Sequence, residues 1–268
     1  MPTKKIGSFP LFPQCQERKV MNEVMYGRVE SQWNEGRVII DTPMGNIPLQ
    51  TLQRCRKDQW LNDELVNMYT DMLQQRCVEF NRPILLLNSF FYSKLTGEQN
   101  DTFQYKQVQR WTRSELVCHF FFFFVKVKVK IIFPIHLKGK LHWACGVINL
   151  RDRQIEYYDS LFHPKNSKPD FQHFAKCMKL YLFQEWEDKQ LDTRASKHAL
   201  ELVTLIQNMD TCVMSAPRQS NGYDCGVFVC NFMYWIAHGF FPNFSSDPSS
   251  IQYFREKICL EILLGRVL

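Results

Sequence analysis

The pattern of apolar positions first predicts a helix over residues 60–76. Apolar side chains recur there at i, i+3, i+4 and i+7, counted from Leu65, which places them on one face of a helix. Asn62 or Asp63 lies just before this face and can cap the helix by accepting hydrogen bonds from its first free N–H groups. We therefore expect an amphipathic helix that buries one face.

Further segments with helical patterns follow later in the chain. The spacing after Pro169 predicts a helix over residues 171–186, and the spacing of the last segment predicts another amphipathic helix over residues 253–268. Residues 225–239 are apolar nearly all round, which indicates a helix buried in the core and ending near Gly239. Residues 85–95 predict a short buried stretch that ends in a turn. Residues 199–207 are apolar but too short to assign to a helix or a strand.

The most apolar run of the chain, residues 119–134, predicts a strand. Its Val/Lys alternation has a period of two residues, which is typical of a strand with one buried face. The run is too short to cross a membrane, and Lys126, Lys128 and Lys130 interrupt it. We therefore expect no membrane partner and assign this strand to a sheet.

Two apolar segments with a polar break between them predict an antiparallel hairpin. Residues 141–150 and 155–161 flank the polar sequence RDRQ, which suits the turn. A turn centred at residues 150–152 would bring Asp159 opposite residues 142–144. The pattern fixes this register only to within one or two residues, so it leaves open which side chains share a face of the sheet.

The order of these elements, a helix followed by strands and then helices, predicts an α+β fold. Residues 46–268 contain no Gly-, Ser- or Pro-rich linker and no internal repeat, so we expect one continuous domain there. Residues 1–45 lack periodicity and carry several prolines, and we expect them to form a poorly ordered N-terminal extension.

Charge and cysteine usage narrow the classes of function. The 268 residues include 33 Lys and Arg against 27 Asp and Glu, spread along the sequence, so we expect no nucleic-acid partner. The 10 cysteines include no CxxC pair, and the first residues lack the apolar core of a signal peptide, so we expect a reducing compartment without disulfides. His173 and Cys177 are spaced as helical ligands but lack a second pair, so we expect neither a metal nor a cofactor.

Cys225 is a candidate nucleophile. It follows the turn signal Asn221-Gly222 and begins the predicted buried helix. The positive end of the helix dipole favours the thiolate form of a cysteine at this position. A single cysteine in an intracellular chain is more often a small core residue, and that alternative stays open.

Other residues complete the chemistry that such a thiol needs. His142 lies in the first strand of the predicted hairpin, where an imidazole can take the thiol proton and return it to a leaving group. Asp159 ends the neighbouring strand and can fix the imidazole tautomer, and the amide of Gln219 can donate to an oxyanion. Taken singly, they are more often a structural histidine, a turn aspartate and an exposed loop glutamine. Together they predict a Cys-His-Asp site and name no substrate.

Stretches in most parts of the sequence carry a resemblance to a known family. In chain order they are WLNDELVNMY (60–69), SFFYSKL (89–95), RWT (110–112), PIHL (134–137), HWACGVINL (142–150), YYDSL (157–161), QSNGYDCGVFVC (219–230) and YFREKICLEIL (253–263). In this order they resemble the catalytic domain of the ubiquitin-like-protein proteases, the SUMO (sentrin)-specific cysteine proteases. HW, then YYDS, then QxNGxDCG is specific as a set, and the resemblance covers about residues 46–268.

The resemblance implies a fold and the roles of the candidate residues. It implies a papain-like or adenain-like α+β fold, with the nucleophile at the N-terminus of a buried helix and the His and Asp on an adjacent sheet. His142 would then be the base, Asp159 its orienting residue, Cys225 the nucleophile and Gln219 the oxyanion donor.

The resemblance also implies substrate-binding residues. Trp143 and Trp60 would form a narrow tunnel that grips a Gly-Gly tail, which is reasonable because glycines have no side chain to obstruct passage between two indoles. Asp63 falls where the family contacts its globular modifier. The alternative for both tryptophans is core packing.

The activity implied by the resemblance is cleavage after the Gly-Gly tail of SUMO-type modifiers. The partners would be the modifier and its conjugates, and the chain would act as a monomer in the nucleus and also in the cytoplasm. A Nedd-type modifier protease is a close alternative. Acyl transfer from coenzyme A by the same triad is a further one, against which WLND and the two tryptophans argue.

The sequence departs from the family pattern around a Phe-rich stretch. Residues 111–134 are several residues longer than usual, with the extra length in the Phe-rich residues 118–133, and the loop over 136–142 is also a little longer. A shifted register in this strand would change the face of every side chain and displace His142. An inactive module that only binds the modifier is therefore also an alternative.

Overall fold

The computed structural model describes residues 39–97, 102–112, 130–188 and 203–268. The helices are α1 (Leu49–Leu52), α2 (Asp63–Glu79), α3 (Phe90–Thr96), α4 (Pro164–Asp188), α5 (Cys225–Ala237) and α6 (Pro248–Leu264). The strands are β1 (Ile39–Thr42), β2 (Gly45–Pro48), β3 (Ile84–Leu86), β4 (Lys130–Leu137), β5 (His142–Asn149), β6 (Gln154–Tyr158) and β7 (Asp210–Val213). Short 3₁₀ turns occur at Gln53–Cys55, Tyr105–Gln107 and Lys138–Lys140.

The larger sheet has five strands in the order β3-β4-β5-β6-β7. Its centre is antiparallel, since β5 pairs with both β4 and β6 in that sense, whereas β3 and β7 add to the edges in parallel. β1 and β2 form a separate antiparallel hairpin. This mixture of an antiparallel-centred sheet with packed helices confirms the predicted α+β class.

Both faces of the sheet are covered, which gives the molecule two apolar cores. On one face, Cys145 and Val147 of β5 pack with side chains of α2, α5 and α6. On the other face, Ala144 and Ile148 of β5 pack with side chains of α3 and α4. Because of this double coverage, every residue of β5 is buried.

The predicted hairpin is confirmed, and the structure settles its register. β5 and β6 pair antiparallel with Cys145 opposite Tyr158, so Asp159 follows β6 at the level of Ala144. β4 continues the ladder on the other side, where Leu137 pairs with His142. The ends of three neighbouring segments therefore meet near His142.

The predicted helices exist, but some of their bounds differ from the expectation. α2 begins at Asp63 because Asn62 is extended and its side chain accepts a hydrogen bond from the Leu65 N–H at 3.2 Å. α4 begins at Pro164 rather than after Pro169, so the expected start was wrong. Pro169 lies near the N-terminus of α4, where its missing N–H costs a single helical hydrogen bond.

Three other helical regions differ from the expectation or were not assigned by it. Residues 85–95 contain the short strand β3 and the helix α3, because the aromatic run that suggested only a buried stretch packs its helical face into the core through Phe91 and Leu95. Residues 203–207 are helical. α6 begins at Pro248, earlier than expected, since the Asp247 carboxylate caps it by accepting from the Ser250 N–H at 2.9 Å.

Part of the predicted Phe-rich strand lies outside the described residues. Residues 119–129 fall in the undescribed range 113–129, whereas Lys130–Leu137 form β4. The described part is not half-buried, because Ile131 to Ile135 are buried in succession between the two cores. Within the described residues, no helix is long and apolar enough to cross a membrane.

The predicted division at residues 45 and 46 stays a prediction. Residues 1–38 lie outside the described ranges. The described part of the extension, β1, pairs with β2 across the expected boundary, with Ile40 opposite Ile47. Pro43, in the turn between these strands, lies against Gly265 at the end of α6.

Candidate active site

His142 and Asp159 are joined by a short hydrogen bond between β5 and the end of β6. The distance from His142 Nε2 to Asp159 Oδ1 is 2.7 Å, and both side chains are buried. The same carboxylate oxygen accepts from the Leu161 backbone N–H at 2.8 Å. The hairpin register therefore brings the two residues together, and the turn after β6 fixes the direction of the carboxylate.

Cys225 is the first residue of α5, and its thiol is near enough to His142 to contribute to the pKa of the imidazole. Nε2 of the ring faces Asp159, which leaves Nδ1 as the other nitrogen of the imidazole. Burial lowers the pKa of His142, but the hydrogen bonds to Asp159 and Cys225 and their negative charges outweigh burial and raise the pKa from 6.5 to about 9. The imidazole is therefore protonated at neutral pH, as the partner of a thiolate requires.

The loop before Cys225 is closed by the side chain of Asn221. Its Oδ1 accepts from the backbone N–H groups of Tyr223 and Asp224, both at 3.1 Å, which forms the turn that the Asn-Gly pair predicted. Its Nδ2 donates to Asp224 Oδ2 at 2.6 Å. Asp224 directly precedes Cys225, so this turn sets where α5 begins.

Asp224 is held from behind by Arg255 of α6. Nε and Nη2 of this arginine donate to Asp224 Oδ1 at 3.0 and 2.5 Å, and the arginine side chain is almost fully buried. Its Nη1 and Nη2 also donate to the backbone carbonyls of Arg56 and Gln59, both at 2.8 Å. One guanidinium thus joins α6, the loop before Cys225 and the segment before Trp60.

Sequence reasoning missed both Asp224 and Arg255. The only signal was a charged residue inside the apolar pattern of the last helix, and nothing local indicates its partners. Asp224 is 31 residues away in sequence, and the carbonyl of Gln59 is 196 residues away.

Gln219 is buried beside the end of β6, which excludes the alternative of an exposed loop glutamine. Its Oε1 accepts from the Ser160 hydroxyl at 2.6 Å, and its Nε2 donates to the Asn221 carbonyl at 2.6 Å. The side chain is therefore fixed next to the His142–Asp159 pair. Its role as an oxyanion donor stays a prediction.

Trp60, Trp143 and Asp63 line one cavity of about 420 Å³ together with Cys225. Trp143 is buried, and its Nε1 donates to the Leu61 carbonyl at 3.1 Å, whereas Trp60 is 44% exposed. The two tryptophans therefore differ: one is anchored and the other faces solvent. Asp63 is exposed in the first turn of α2.

Sequence reasoning also missed several lining residues. His136 on β4 lies against Trp143, with ring centroids 4.6 Å apart and an angle of 34° between the planes. Phe90 and Leu141 add apolar surface at the cavity, and each is more than 40% exposed, at 44% and 57%. No local pattern marks them, because they meet only at the junction of α3, β4 and β5.

The described residues contain no group of three or more His, Cys, Asp or Glu side chains that could hold a metal ion. His173 and Cys177 of α4 contact one another, with 3.3 Å between Nε2 and Sγ.

Known proteins resemble the chain over most of its length. Residues 59–266 match the model of the Ulp1 protease family, C-terminal catalytic domain. A putative ubiquitin-like-specific protease 1B of Arabidopsis thaliana is 30% identical over 272 residues, which cover 97% of this chain and 71% of that protein. A sentrin-specific protease of Caenorhabditis elegans is also 30% identical, over 81% of this chain but only 28% of that longer protein.

A solved structure has the same fold. The C-terminal Ulp1 protease domain, determined in complex with Smt3, the yeast orthologue of SUMO, superimposes with a TM-score of 0.69. The alignment covers 96% of this chain and 98% of that chain at 23% identity, so it establishes the fold alone. With the family match over residues 59–266, it follows that this chain belongs to the Ulp1 protease family.

Proposed function

We propose that this chain is a cysteine peptidase and isopeptidase that cleaves after the Gly-Gly tail of SUMO-type modifiers. The observation that carries the proposal is the hydrogen-bonded pair His142 and Asp159 together with Cys225 at the N-terminus of α5, at a cavity that Trp60 and Trp143 also line. The names of the relatives, ubiquitin-like-specific and sentrin-specific proteases, support the choice of substrate class.

The first half of the reaction acylates Cys225. The thiolate attacks the carbonyl carbon of the terminal glycine, and the negative charge moves to the carbonyl oxygen. When the C–N bond breaks, protonated His142 gives its proton to the departing amine, which is a lysine side chain in a conjugate or the tail peptide in a precursor. The products are a thioester on Cys225 and the free amine.

The second half hydrolyses the thioester. His142, now neutral, takes a proton from water as the water oxygen attacks the thioester carbonyl. The C–S bond then breaks, which releases the glycine carboxylic acid and restores the thiolate beside the imidazolium; the acid loses its proton to solvent water. Asp159 keeps the imidazole in one orientation through its 2.7 Å hydrogen bond.

Two donors are proposed for the oxyanion. The backbone N–H of Cys225 belongs to the free N-terminal groups of α5, which have no partner within the helix. The amide of Gln219 would supply the second donor. Preorganised donors of this kind stabilise the charge as it forms, without reorganisation.

The cavity explains why a glycine tail is proposed. Trp60 and Trp143 line the same cavity as Cys225, and a tail of glycines would pass between the two indoles without side chains to obstruct it. Asp63 lines the same cavity and is exposed, so it would be available to the body of a folded modifier. Since glycines offer no side chain to read, specificity would come from the modifier surface. No cofactor takes part in these steps.

We also propose a nuclear location, which rests on the family resemblance, and imaging of the tagged chain tests it.

The direct test uses modifiers that carry a C-terminal vinyl sulfone. We expect the purified chain to form a covalent adduct with the SUMO trap, and the Cys225→Ser variant to form none. An adduct with a Nedd-type trap alone would support Cys225 as the nucleophile but refute SUMO-type modifiers as the substrate class. No adduct from a folded sample that still binds the modifier would replace the proposal with a binding module.

A further inference from the structure

We propose that Ser160 is a positioning residue for Gln219. In the dipeptide Asp159-Ser160, the aspartate would align the base His142 and the serine would align the oxyanion donor Gln219. This inference rests on the proposed function. It starts from the observation that the residue after Asp159 is itself fully buried and makes side-chain and backbone contacts with Gln219.

Two hydrogen bonds connect Ser160 with Gln219. The Ser160 hydroxyl donates to Gln219 Oε1 at 2.6 Å, and the Ser160 carbonyl accepts from the Gln219 backbone N–H at 3.2 Å. The serine is 1% exposed and the glutamine 8%, so water does not substitute readily for either partner. The loop before Cys225 is therefore attached to the end of β6 at this point.

The hydrogen-bond partners fix the direction of the Gln219 amide. A backbone carbonyl can only accept, so the Asn221 carbonyl at 2.6 Å requires the nitrogen end of the amide. The oxygen end then faces Ser160, whose hydroxyl can donate. With both ends held, the second N–H of Nε2 has a single direction.

Asp159 and Ser160 each hold a different residue of the proposed active site. The Asp159 carboxylate holds His142 through Nε2, while Ser160 holds the residue proposed to donate to the oxyanion. Because the two are consecutive in the chain, any movement of the end of β6 moves both. Replacing Ser160 with alanine leaves the Asp159–His142 hydrogen bond in place. It removes the hydrogen bond from the Ser160 hydroxyl and leaves Gln219 Oε1 buried without its donor.

The expected effect falls on the chemical step. Removing an oxyanion donor lowers kcat by about 10²–10³-fold, so Gln219→Ala should fall in this range. Ser160→Ala should lower kcat about tenfold, because the amide remains but loses one of its two constraints. KM should stay within about twofold, since neither residue lines the tail cavity.

The experiment is a double-mutant cycle on cleavage of a SUMO precursor. We expect Ser160→Ala combined with Gln219→Ala to have the same kcat as Gln219→Ala alone, because Ser160 acts through that residue. Ser160→Thr, which keeps the hydroxyl, should recover most of the activity. Ser167→Ala is the matched control, because its hydroxyl accepts one exposed hydrogen bond from the His163 N–H.

A second readout separates positioning from damage to the fold. Alkylation of Cys225 by iodoacetamide needs the thiolate and His142 but forms no oxyanion, so its rate should not change in Ser160→Ala. Losses that add in the double mutant, an unchanged kcat in Ser160→Ala, or slowed alkylation in that variant would each overturn the inference.

The outcome is also distinguishable from failure of the proposed function. A wild-type chain that reacts with iodoacetamide at Cys225 but cleaves no modifier would refute the proposed function alone. The side-chain amide signals of Gln219 in ¹H–¹⁵N spectra would then decide the inference. A single resolved pair that shifts and broadens in Ser160→Ala supports it, and an unchanged pair refutes it.

Discussion

The two sides of the active site are held by different kinds of interaction. On the sheet side, His142 and Asp159 are 17 residues apart in sequence, and the pairing of β5 with β6 is enough to bring them together. On the helix side, Cys225 and its loop depend on side chains from distant segments, above all Arg255 of α6. The sheet side is built from backbone pairing, and the helix side from buried polar contacts.

This difference determines how each side should respond to substitution. A strand register tolerates the loss of one side chain, because the ladder of backbone hydrogen bonds persists. A loop that depends on one buried guanidinium for its contacts with distant segments is weakened when that group is removed, since Asp224 Oδ1 and several backbone carbonyls lose their donor. Substitutions on the sheet side should therefore affect chemistry more than stability, and substitutions on the helix side should affect both.

The largest effect is expected for Asp159→Asn. The amide is close in shape but lacks the charge that stabilises the imidazolium, so kcat/KM should fall by about 10²–10⁴-fold. The free energy of unfolding should fall by a smaller amount, because β6 remains paired and only the contribution of the raised His142 pKa is lost. Cleavage kinetics and urea unfolding of the same sample measure the two quantities. A loss of stability that accounts for the loss of activity would contradict the comparison.

The pH profile sharpens the same test. His142 has a raised pKa of about 9, so kcat/KM should fall as the pH rises through this value, where the proton for the leaving group is lost. The raised pKa of His142 also contributes to the free energy of unfolding. This contribution is complete below the ordinary pKa of 6.5 and is lost as the pH rises through about 9. In Asp159→Asn the fall of kcat/KM and the loss of stability should both occur at lower pH. If either transition stays at the same pH in the variant, Asp159 does not set the pKa of His142.

On the helix side, Arg255→Met should destabilise the protein by about 3–5 kcal/mol, because it leaves Asp224 buried without its partner. Activity should fall as well, since the loop before Cys225 loses its support. Arg255→Lys should retain part of the stability with one donor group. Arg151→Met is the matched control, because Arg151 is exposed and its ion pair among the described residues is with the exposed Asp152. Equal stability of the two methionine variants in urea unfolding would refute the assigned role of Arg255.

The same contrast explains what the sequence could predict. The hairpin, the buried helix after Asn221-Gly222 and the His142–Asp159 pairing follow from short-range patterns of apolar and turn residues. The Arg255 contacts do not, because most of its acceptors are backbone carbonyls, which every residue carries. The helix α3 was missed because its aromatic residues have a higher preference for strands than for helices until the core buries one helical face.

Gly226 is the position where the two sides touch. A Cβ at this glycine would lie 2.7 Å from the Leu61 Cβ, and the Leu61 carbonyl accepts from Trp143 Nε1 of β5. Gly226→Ala should therefore cost about 1–3 kcal/mol through overpacking, although alanine is the better helix former. It should also raise KM, since Trp143 must shift with Leu61.

Two variants control this prediction. Gly222→Ala should be close to neutral, because a Cβ there meets no atom within 4 Å. Leu61→Gly in the Gly226→Ala background removes the clashing Cβ, so the loss of stability in the double variant should be smaller than the sum of the two single losses. Additive losses in the double variant, measured by urea unfolding, would show that this contact does not couple the two sides.

The smallest effect is expected for Leu141→Asn on the sheet side. Leu141 has a φ of 49°, in the left-handed region, and it lies directly before His142 with 57% of its surface exposed. This conformation costs a branched aliphatic residue about 1–2 kcal/mol, which asparagine largely avoids. The variant should therefore be more stable by about 0.5–1 kcal/mol in urea unfolding, whereas Leu161→Asn, at another exposed leucine, should show no gain.

The kinetic outcome of Leu141→Asn shows why a strained leucine stands at this position. Leu141 lines the cavity with Trp60 and Trp143, so its apolar side chain is available to a bound tail. A gain in stability with a higher KM and an unchanged kcat is the expected result, because only binding is lost. It would mean that the sheet side gives up stability for substrate contact, whereas the helix side uses its buried contacts for stability. A gain in stability without any change in KM would assign the strain to the hairpin geometry between Leu137 and His142 instead.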